Sequence, residues 1–313
     1  MIFELIKIVL FPGLMFLSLF GVVAEYIDRK LYAKFQNRVG PPWYQPVADF
    51  IKLLGKEDII PEDAEPVMFK TLPVVAITAA VTASLYIPIW SNKALFSFEG
   101  DVIVVVYLLT IPTLTFFLGG WNSNSLYSMI GSVRTLTQLF AFEVPLFMGI
   151  LAPALLANTW SLSGITAYYG THPWLVLVNL LAFGVAIVAV QGKLEKVPFD
   201  IPEAETEIVA GAFTEYSGRL LALFRMAIDI EMVVASSLLA AVFLPFGLQF
   251  GPVVGFLLYI IKVLLLVCVM ALLRTVFARL RLDQMVRFCW RYLAPAALLQ
   301  ICIVIIVKGI VLQ

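Results

Sequence analysis

Five carboxylates crowd one short stretch of an otherwise apolar chain. "VPFDIPEAETEIVAGAFTEYSGR", residues 197–219, holds Asp200, Glu203, Glu205, Glu207 and Glu215 with one basic residue, Arg219. Like charges this close repel one another, which costs an isolated helix a few tenths of a kcal/mol per pair. A helix-start signal stands at its head: Asp200 can cap, Pro202 suits a first turn, and Glu203 follows the cap by three residues. From there Glu203, Glu207, Gly211 and Glu215 recur every four residues, which predicts one acidic stripe along a helix, with Glu205 pointing elsewhere. A solvated acidic surface, favoured by the helix dipole, accounts for the same pattern. The interleaved Ile208, Val209, Ala210, Ala212 and Phe213 argue against full exposure.

A second ionisable group stands deeper. In "RTLTQLFAFEVPLFMGILAPALLA", Glu143 follows Arg134 by roughly 15 Å of helix. A charge at that depth costs several kcal/mol unless it is paired, hydrated or protonated. Pro145 removes one helix hydrogen bond and frees the Ala141 carbonyl, which invites a polar path beside Glu143. A static ion pair between helices is the alternative. Lys262 is the other deep charge, placed to pair with another subunit or to snorkel. Asp229 and Glu231 open the sixth apolar run and could extend a polar route from the acidic stretch.

The elements that carry these groups follow from composition. The chain has 313 residues, 62% of them hydrophobic, and a soluble domain of that length needs far more polar surface. Runs of about 20 apolar residues match a bilayer core. Eight spans are predicted, near 4–26, 68–90, 102–120, 133–157, 173–191, 225–246, 252–273 and 292–311. The expectation is an all-α, polytopic membrane protein whose residues 1–313 form a single membrane domain, its first run a retained span rather than a cleaved leader. Of the 21 Lys and Arg residues, only Lys7, Lys93 and Lys308 fall on one side and Lys262 within a span; all others fall on the side of the odd-numbered connections. The positive-inside tendency makes that side cytoplasmic and puts both termini outside the cytoplasmic membrane.

The first connection is the longest of the basic ones. "QPVADFIKLLGKE" places Val47, Phe50, Ile51 and Leu54 on one helical face and Asp49, Lys52 and Lys56 on the other, a pattern for a helix lying along the membrane surface, if only as a short anchor. "NRVGPPWYQP" before it breaks any helix. Net charge is zero, so no nucleic-acid footprint is expected. Cys268, Cys289 and Cys302 are scattered and His172 is the only histidine, so no ligand set for zinc, iron–sulfur or nickel–iron is expected in this chain, and no redox centre.

The segments "DRKLYAKFQNRVGPP…QPVADFIKLLGKED", "QLFAFEVPL", "PFDIPEAETEIVAGAFTEYSG" and "RLRLDQMVRFCW", in this order, resemble the subunit-1 family of respiratory complex I and its relatives in membrane-bound nickel–iron hydrogenases and ferredoxin-dependent sulfane reductases. The resemblance covers nearly the whole chain. It implies an eight-span subunit that docks a cytoplasmic redox arm onto an ion-pumping membrane arm. Its partners would be a hydrogenase-like large subunit, a small subunit holding iron–sulfur clusters, and antiporter-like and small membrane subunits. Ferredoxin would act through the complex, and any nickel–iron centre would sit on a partner subunit. By motif match, Glu143 takes the family's intramembrane glutamate, and Asp200, Glu203, Glu205, Glu207 and Glu215 its acidic loop. Asp229, by its place at the head of the sixth span, would extend that ion pathway. Asp28, Arg29 and Arg38 match the cavity mouth, Asp49, Lys52, Lys56 and Glu57 the surface helix, and Arg134 joins them at the redox-arm interface.

Three departures stand out. Only Pro42, Trp43 and Tyr44 fill a gap that is longer in quinone-using members; Lys193 stands where those members carry a carboxylate, with Glu195 nearby; and Ile228 takes another acidic position, with Asp229 beside it. The short gap resembles the hydrogenase and sulfane-reductase branch. Quinone reduction is the alternative function, and a purely structural anchor the second. A stand-alone transporter fits least, since no internal repeat is evident.

Overall fold

The computed structural model describes the backbone of residues 2–91, 93–247 and 251–311, and their side chains except those of 2–5, 205, 310 and 311. Regular structure among them is helical, with no strand. In chain order the α-helices are α1 (Ile2–Val9), α2 (Leu14–Phe35), α3 (Gln45–Leu54), α4 (Pro66–Ser84), α5 (Asp101–Asn122), α6 (Leu126–Ala157), α7 (Leu162–Thr171), α8 (Leu180–Lys193), α9 (Glu205–Ile208), α10 (Gly218–Phe243), α11 (Pro252–Val276), α12 (Leu282–Phe288) and α13 (Ala294–Val311).

Eight segments among the described residues are long and apolar enough to cross a bilayer: Ile6–Phe35, Pro66–Ser84, Asp101–Asn122, Leu126–Ala157, Pro173–Lys193, Gly218–Phe243, Pro252–Val276 and Leu282–Gly309. The number agrees with the sequence; several edges do not. The first span continues to Phe35 instead of ending near residue 26, the sixth begins at Gly218 instead of 225, and the eighth takes in α12 from Leu282 instead of starting at 292. Hydropathy ends each span at its outermost charges, whereas a helix runs on through charges that find partners or solvent.

Helix α10 is the hub. It packs on α2, α4 and α11, and from Ile230 to Phe243 every residue is buried. Small side chains permit this: Ala227, Ala235 and Ala240 keep α10 slim, and Gly21 of α2 lies so close to the Asp229 backbone that a Cβ there would stand 3.2 Å from it. Ser236 and Ser237 return their hydroxyls to the carbonyls of Met232 and Val233, so their burial leaves no donor unmet. The outer helices instead show apolar stripes. On α11, Val253, Leu257, Ile261 and Leu265 are all exposed at four-residue spacing, the face a lipid-contacting helix needs.

The surface helix forms where expected, as α3, with Pro46 in its first turn and Val47, Ile51 and Leu54 exposed. The acidic stretch is corrected. Glu203, Glu207, Gly211 and Glu215 do not form one helical stripe, and Asp200 does not cap a long helix. Only the four-residue α9 and a 3-10 turn at Gly211–Phe213 are regular there. Val209 and Gly211 take left-handed backbones (φ +64° and +54°) that break the helix twice. The return brings Gly211 against the Pro202 carbonyl, where a Cβ has no room. Aromatic burial drives this. Tyr216 stacks on Phe69 at 3.9 Å and Phe213 meets Phe116 edge-on at 5.2 Å, each burial worth about 1.5–3 kcal/mol against tenths for helix propensity. The glycines of α5 and α6 make the seat: a Cβ on Gly131 would stand 2.6 Å from Gly211 and Ala212.

Candidate functional site

Between α2, α3, α10 and the turn after α8 lies a partly open cavity of about 990 Å3. Apolar residues such as Val22, Phe50 and Leu53 share its wall with a dense set of charges. Asp28 is the most enclosed on α2, 1% exposed. Its Oδ2 accepts from Lys196 Nζ at 2.7 Å and Arg274 Nη1 at 3.1 Å. Arg274 also lies over the Tyr32 ring, 4.3 Å from its centroid. One carboxylate thus ties together α2, α11 and the turn after α8, and its burial is tolerable because two cations surround it.

A second buried pair crosses the cavity wall. Lys193, the last residue of α8, stands 3.9 Å from Glu231 of α10, their side chains 4% and 2% exposed. Towards α3, Arg29 pairs with Glu25 one turn back and reaches Asp49 at 3.2 Å, which also accepts from Gln45 at 2.8 Å. Lys52 and Lys56 complete that wall, and Asp200, Glu203 and Asp229 line the opposite part. Glu203 pairs with Arg225 at 3.0 Å. Arg38 and Glu57 are exposed outside the lining. Ser217 donates to the Glu57 carbonyl, and the Arg219 backbone N–H donates to Asp58 at 2.6 Å, so the first and fifth connections are stitched together.

The acidic stretch therefore divides. Asp200 and Glu203 face the cavity. Glu207 points away and clamps the loop from outside, pairing with Arg134 at 2.7 Å and with Arg279 at 3.9 Å. The Arg134 hydrogen bond holds the Glu207 carboxyl below the usual range. Glu215 is half-buried and makes no ion pair among the described residues. The side chain of Glu205 lies outside the described residues.

Glu143 sits in a separate small niche of about 10 Å3, room for roughly one water. Thr113, Gln138, Phe142, Lys193 and Glu195 also line it. Gln138 donates to the Gly192 carbonyl at 2.7 Å, and the Phe142 ring covers Gly192 and meets Phe199 at 4.6 Å. Thr113 Oγ1 and Gln138 Oε1 are shielded without hydrogen-bond partners among the described residues, so the niche is polar enough to hold a water. Lys262, the other deep charge, donates to the Phe246 carbonyl at the end of its reach, which is snorkelling within the chain.

Glu25, Lys193, Glu195, Lys196 and Arg274 belong to the site but not to the set predicted from sequence. "KLEK" directly after an apolar span is the available signal for three of them. Arg274 meets Asp28 across 246 residues of sequence, which only packing reveals. Cys268, Cys289 and Cys302 lie apart, and no metal-sized cluster of His, Cys, Asp and Glu occurs among the described residues. Chemically, the arrangement pairs charged groups around the large cavity and brings two of them, Lys193 and Glu195, up to the niche that holds Glu143.

Comparison with known proteins agrees with this architecture. The family model described as NADH dehydrogenase matches residues 6–305. A subunit of the NADH-quinone oxidoreductase of Carboxydothermus hydrogenoformans is 33% identical, over 93% of this chain and 85% of its own. Subunit 8 of the Thermus thermophilus enzyme of the same name is 37% identical, over 87% of this chain and 78% of its own. A chain in the structure of a membrane-bound sulfane sulfur reductase, an archaeal respiratory membrane complex, superposes with a TM-score of 0.82 at 25% identity, covering 93% of this chain and 96% of that one. An eight-span bundle with a matching sequence over nearly its full length settles the family: this multi-pass membrane protein belongs to the NADH dehydrogenase family, that of complex I subunit 1.

Proposed function

We propose that this chain is the membrane subunit of an ion-translocating, ferredoxin-linked oxidoreductase of the hydrogenase or sulfane-reductase type. It docks the cytoplasmic redox arm and passes charge inward through carboxylates. The carrying observation is the charged cavity of about 990 Å3 whose wall is shared, at Lys193 and Glu195, with the Glu143 niche. Redox change near the cavity alters its field, and a chain of paired carboxylates transmits such a change as proton movement. Beyond Glu143, α6 carries no ionisable residue as far as Ala157. The route therefore continues into neighbouring membrane subunits of antiporter-like kind. The exposed Val39, Trp43 and Tyr44 beside α3 offer apolar anchors for the large and iron–sulfur subunits of the arm. The short Pro42–Tyr44 gap and the similarity to the sulfane reductase chain support this branch.

Replacing Glu143 with Gln in the assembled complex is expected to abolish redox-driven ion uptake by inverted vesicles while electron transfer continues. Uptake at the wild-type rate removes Glu143 from the route. A second reading, quinone reduction at the large cavity, is favoured by the names of the Carboxydothermus and Thermus relatives and by a volume adequate for a small ligand. Turnover with ferredoxin in quinone-free membranes excludes it.

A further inference from the structure

Lys193 and Glu195 are the two residues that line both the large cavity and the Glu143 niche. Lys193 is committed as the counter-cation of Glu231, at 3.9 Å. Glu195 has no such commitment. It makes no ion pair and no side-chain hydrogen bond among the described residues, and its Oε1 is shielded from solvent without a donor. Its backbone is left-handed (φ +51°), a conformation that side chains beyond glycine and asparagine adopt at a cost. The turn is held there by its own N–H to the Gly192 carbonyl at 3.2 Å, by Lys196 N–H to Gln191 at 3.3 Å and by the Gln191 side chain to the Val197 carbonyl at 2.8 Å. That turn places residues 193 and 195 in one wall.

We propose that Glu195 is the proton-carrying link between the two cavities, taking a proton from the large cavity and passing it to the Glu143 niche. This rests on the ion-translocating reading above. The charges facing Glu195 are Lys193 and Glu231 of the buried pair, Glu143 across the niche, and Asp200, Glu203 and Arg225 around the large cavity. Burial, then Glu203, Glu231 and Asp200, push its carboxyl well above the usual range, with Arg225 opposing. A carboxyl held above its usual range takes up a proton more readily than Glu207, which Arg134 holds below it. In the forward step a hydronium in the large cavity protonates the Glu195 carboxylate. The acid then gives that proton, through the single water the niche can hold, to the Glu143 carboxylate and is ionised again. One proton enters, one leaves, and no electron moves.

The test is infrared titration of carboxyl groups in the purified complex, with ion uptake per electron measured in vesicles from the same preparation. Glu195→Gln keeps the shape; Glu195→Asn relaxes the left-handed backbone, so loss of fold in one variant is checked by the other. The wild type is expected to show a protonated-carboxyl band that titrates above the ordinary carboxylate range and is absent from both variants. Ion uptake is expected to be lost in both while electron transfer persists. A band unchanged by either substitution, or uptake per electron at the wild-type ratio in an assembled variant, overturns the proposal. If the wild-type complex moves no ions, the ion-translocating reading falls, and the infrared band alone then decides whether Glu195 holds a proton.

Discussion

Asp28 shows how a single carboxylate can organise a membrane protein. It stands 1% exposed with Lys196 and Arg274 both directed at one of its oxygens. Removing the carboxylate leaves Lys196 and Arg274, 11% and 27% exposed, uncompensated beside a buried site, which costs about 3 kcal/mol, the low end for a buried pair. Asp28→Ala is therefore expected to lower the unfolding free energy of the purified protein by about that amount, measured by denaturant titration in detergent. An exposed pair such as Arg29 with Asp49, 41% and 43% exposed, contributes roughly 0–1 kcal/mol, so Asp49→Ala serves as the control. In the sequence Asp28, Arg29 and Asp49 look alike as charged positions, because type and spacing carry no information about depth. What separates them is whether remote cations arrive, and Arg274 arrives from the end of α11, whose sequence holds nothing that points to Asp28.

The helices and the loop between α8 and α10 are not equally legible. Apolar runs of about 20 residues are a strong signal because a bilayer leaves the backbone no alternative to helix, so all eight spans and the amphipathic α3 can be read from residue pattern. The acidic stretch carries an equally regular four-residue spacing, yet it folds as an irregular turn. Outside the hydrocarbon core the backbone has choices, and burial of Phe213 and Tyr216 outweighs local helix formation. The seat for that turn is on α6, at Gly131. Gly131→Leu is expected to displace residues 211–213 and to raise protease sensitivity and hydrogen exchange across 200–217, at a cost of about 1–3 kcal/mol. The α-helical content by circular dichroism is expected to stay constant. A helix-forming acidic stripe would instead be indifferent to a bulky residue on α6.

At the scale of the whole molecule, the two ends of the bundle handle polar groups differently. The basic-rich end holds the cavity and its ion pairs. At the other end Asp101 accepts from the Leu162 N–H at 2.6 Å, and Asn179 donates to the Tyr169 hydroxyl at 2.7 Å, closing the connections with hydrogen bonds to backbone and hydroxyl groups. This asymmetry, with the clustering of Lys and Arg, predicts that the cavity end faces the cytoplasm. Epitope tags placed in 85–100 or after residue 313 are expected to be accessible on intact cells, and a tag within 277–281 only after permeabilisation. The reverse pattern would place the charged cavity outside and separate it from any cytoplasmic redox arm.

The anchoring of Glu207 bears on how the protein is made. Its two partners lie far apart along the chain, Arg134 before it and Arg279 after it, and Asp28 likewise waits for Arg274. During synthesis the ribosome releases the acidic loop when one of its clamps is already in the membrane and the other has yet to be translated. The ion pairs that hold this face are thus complete only once α11 and the residues after it have been made. A chain truncated before Arg279 is therefore expected to hold the loop by Arg134 alone and to be cut more readily within 200–217 by added protease.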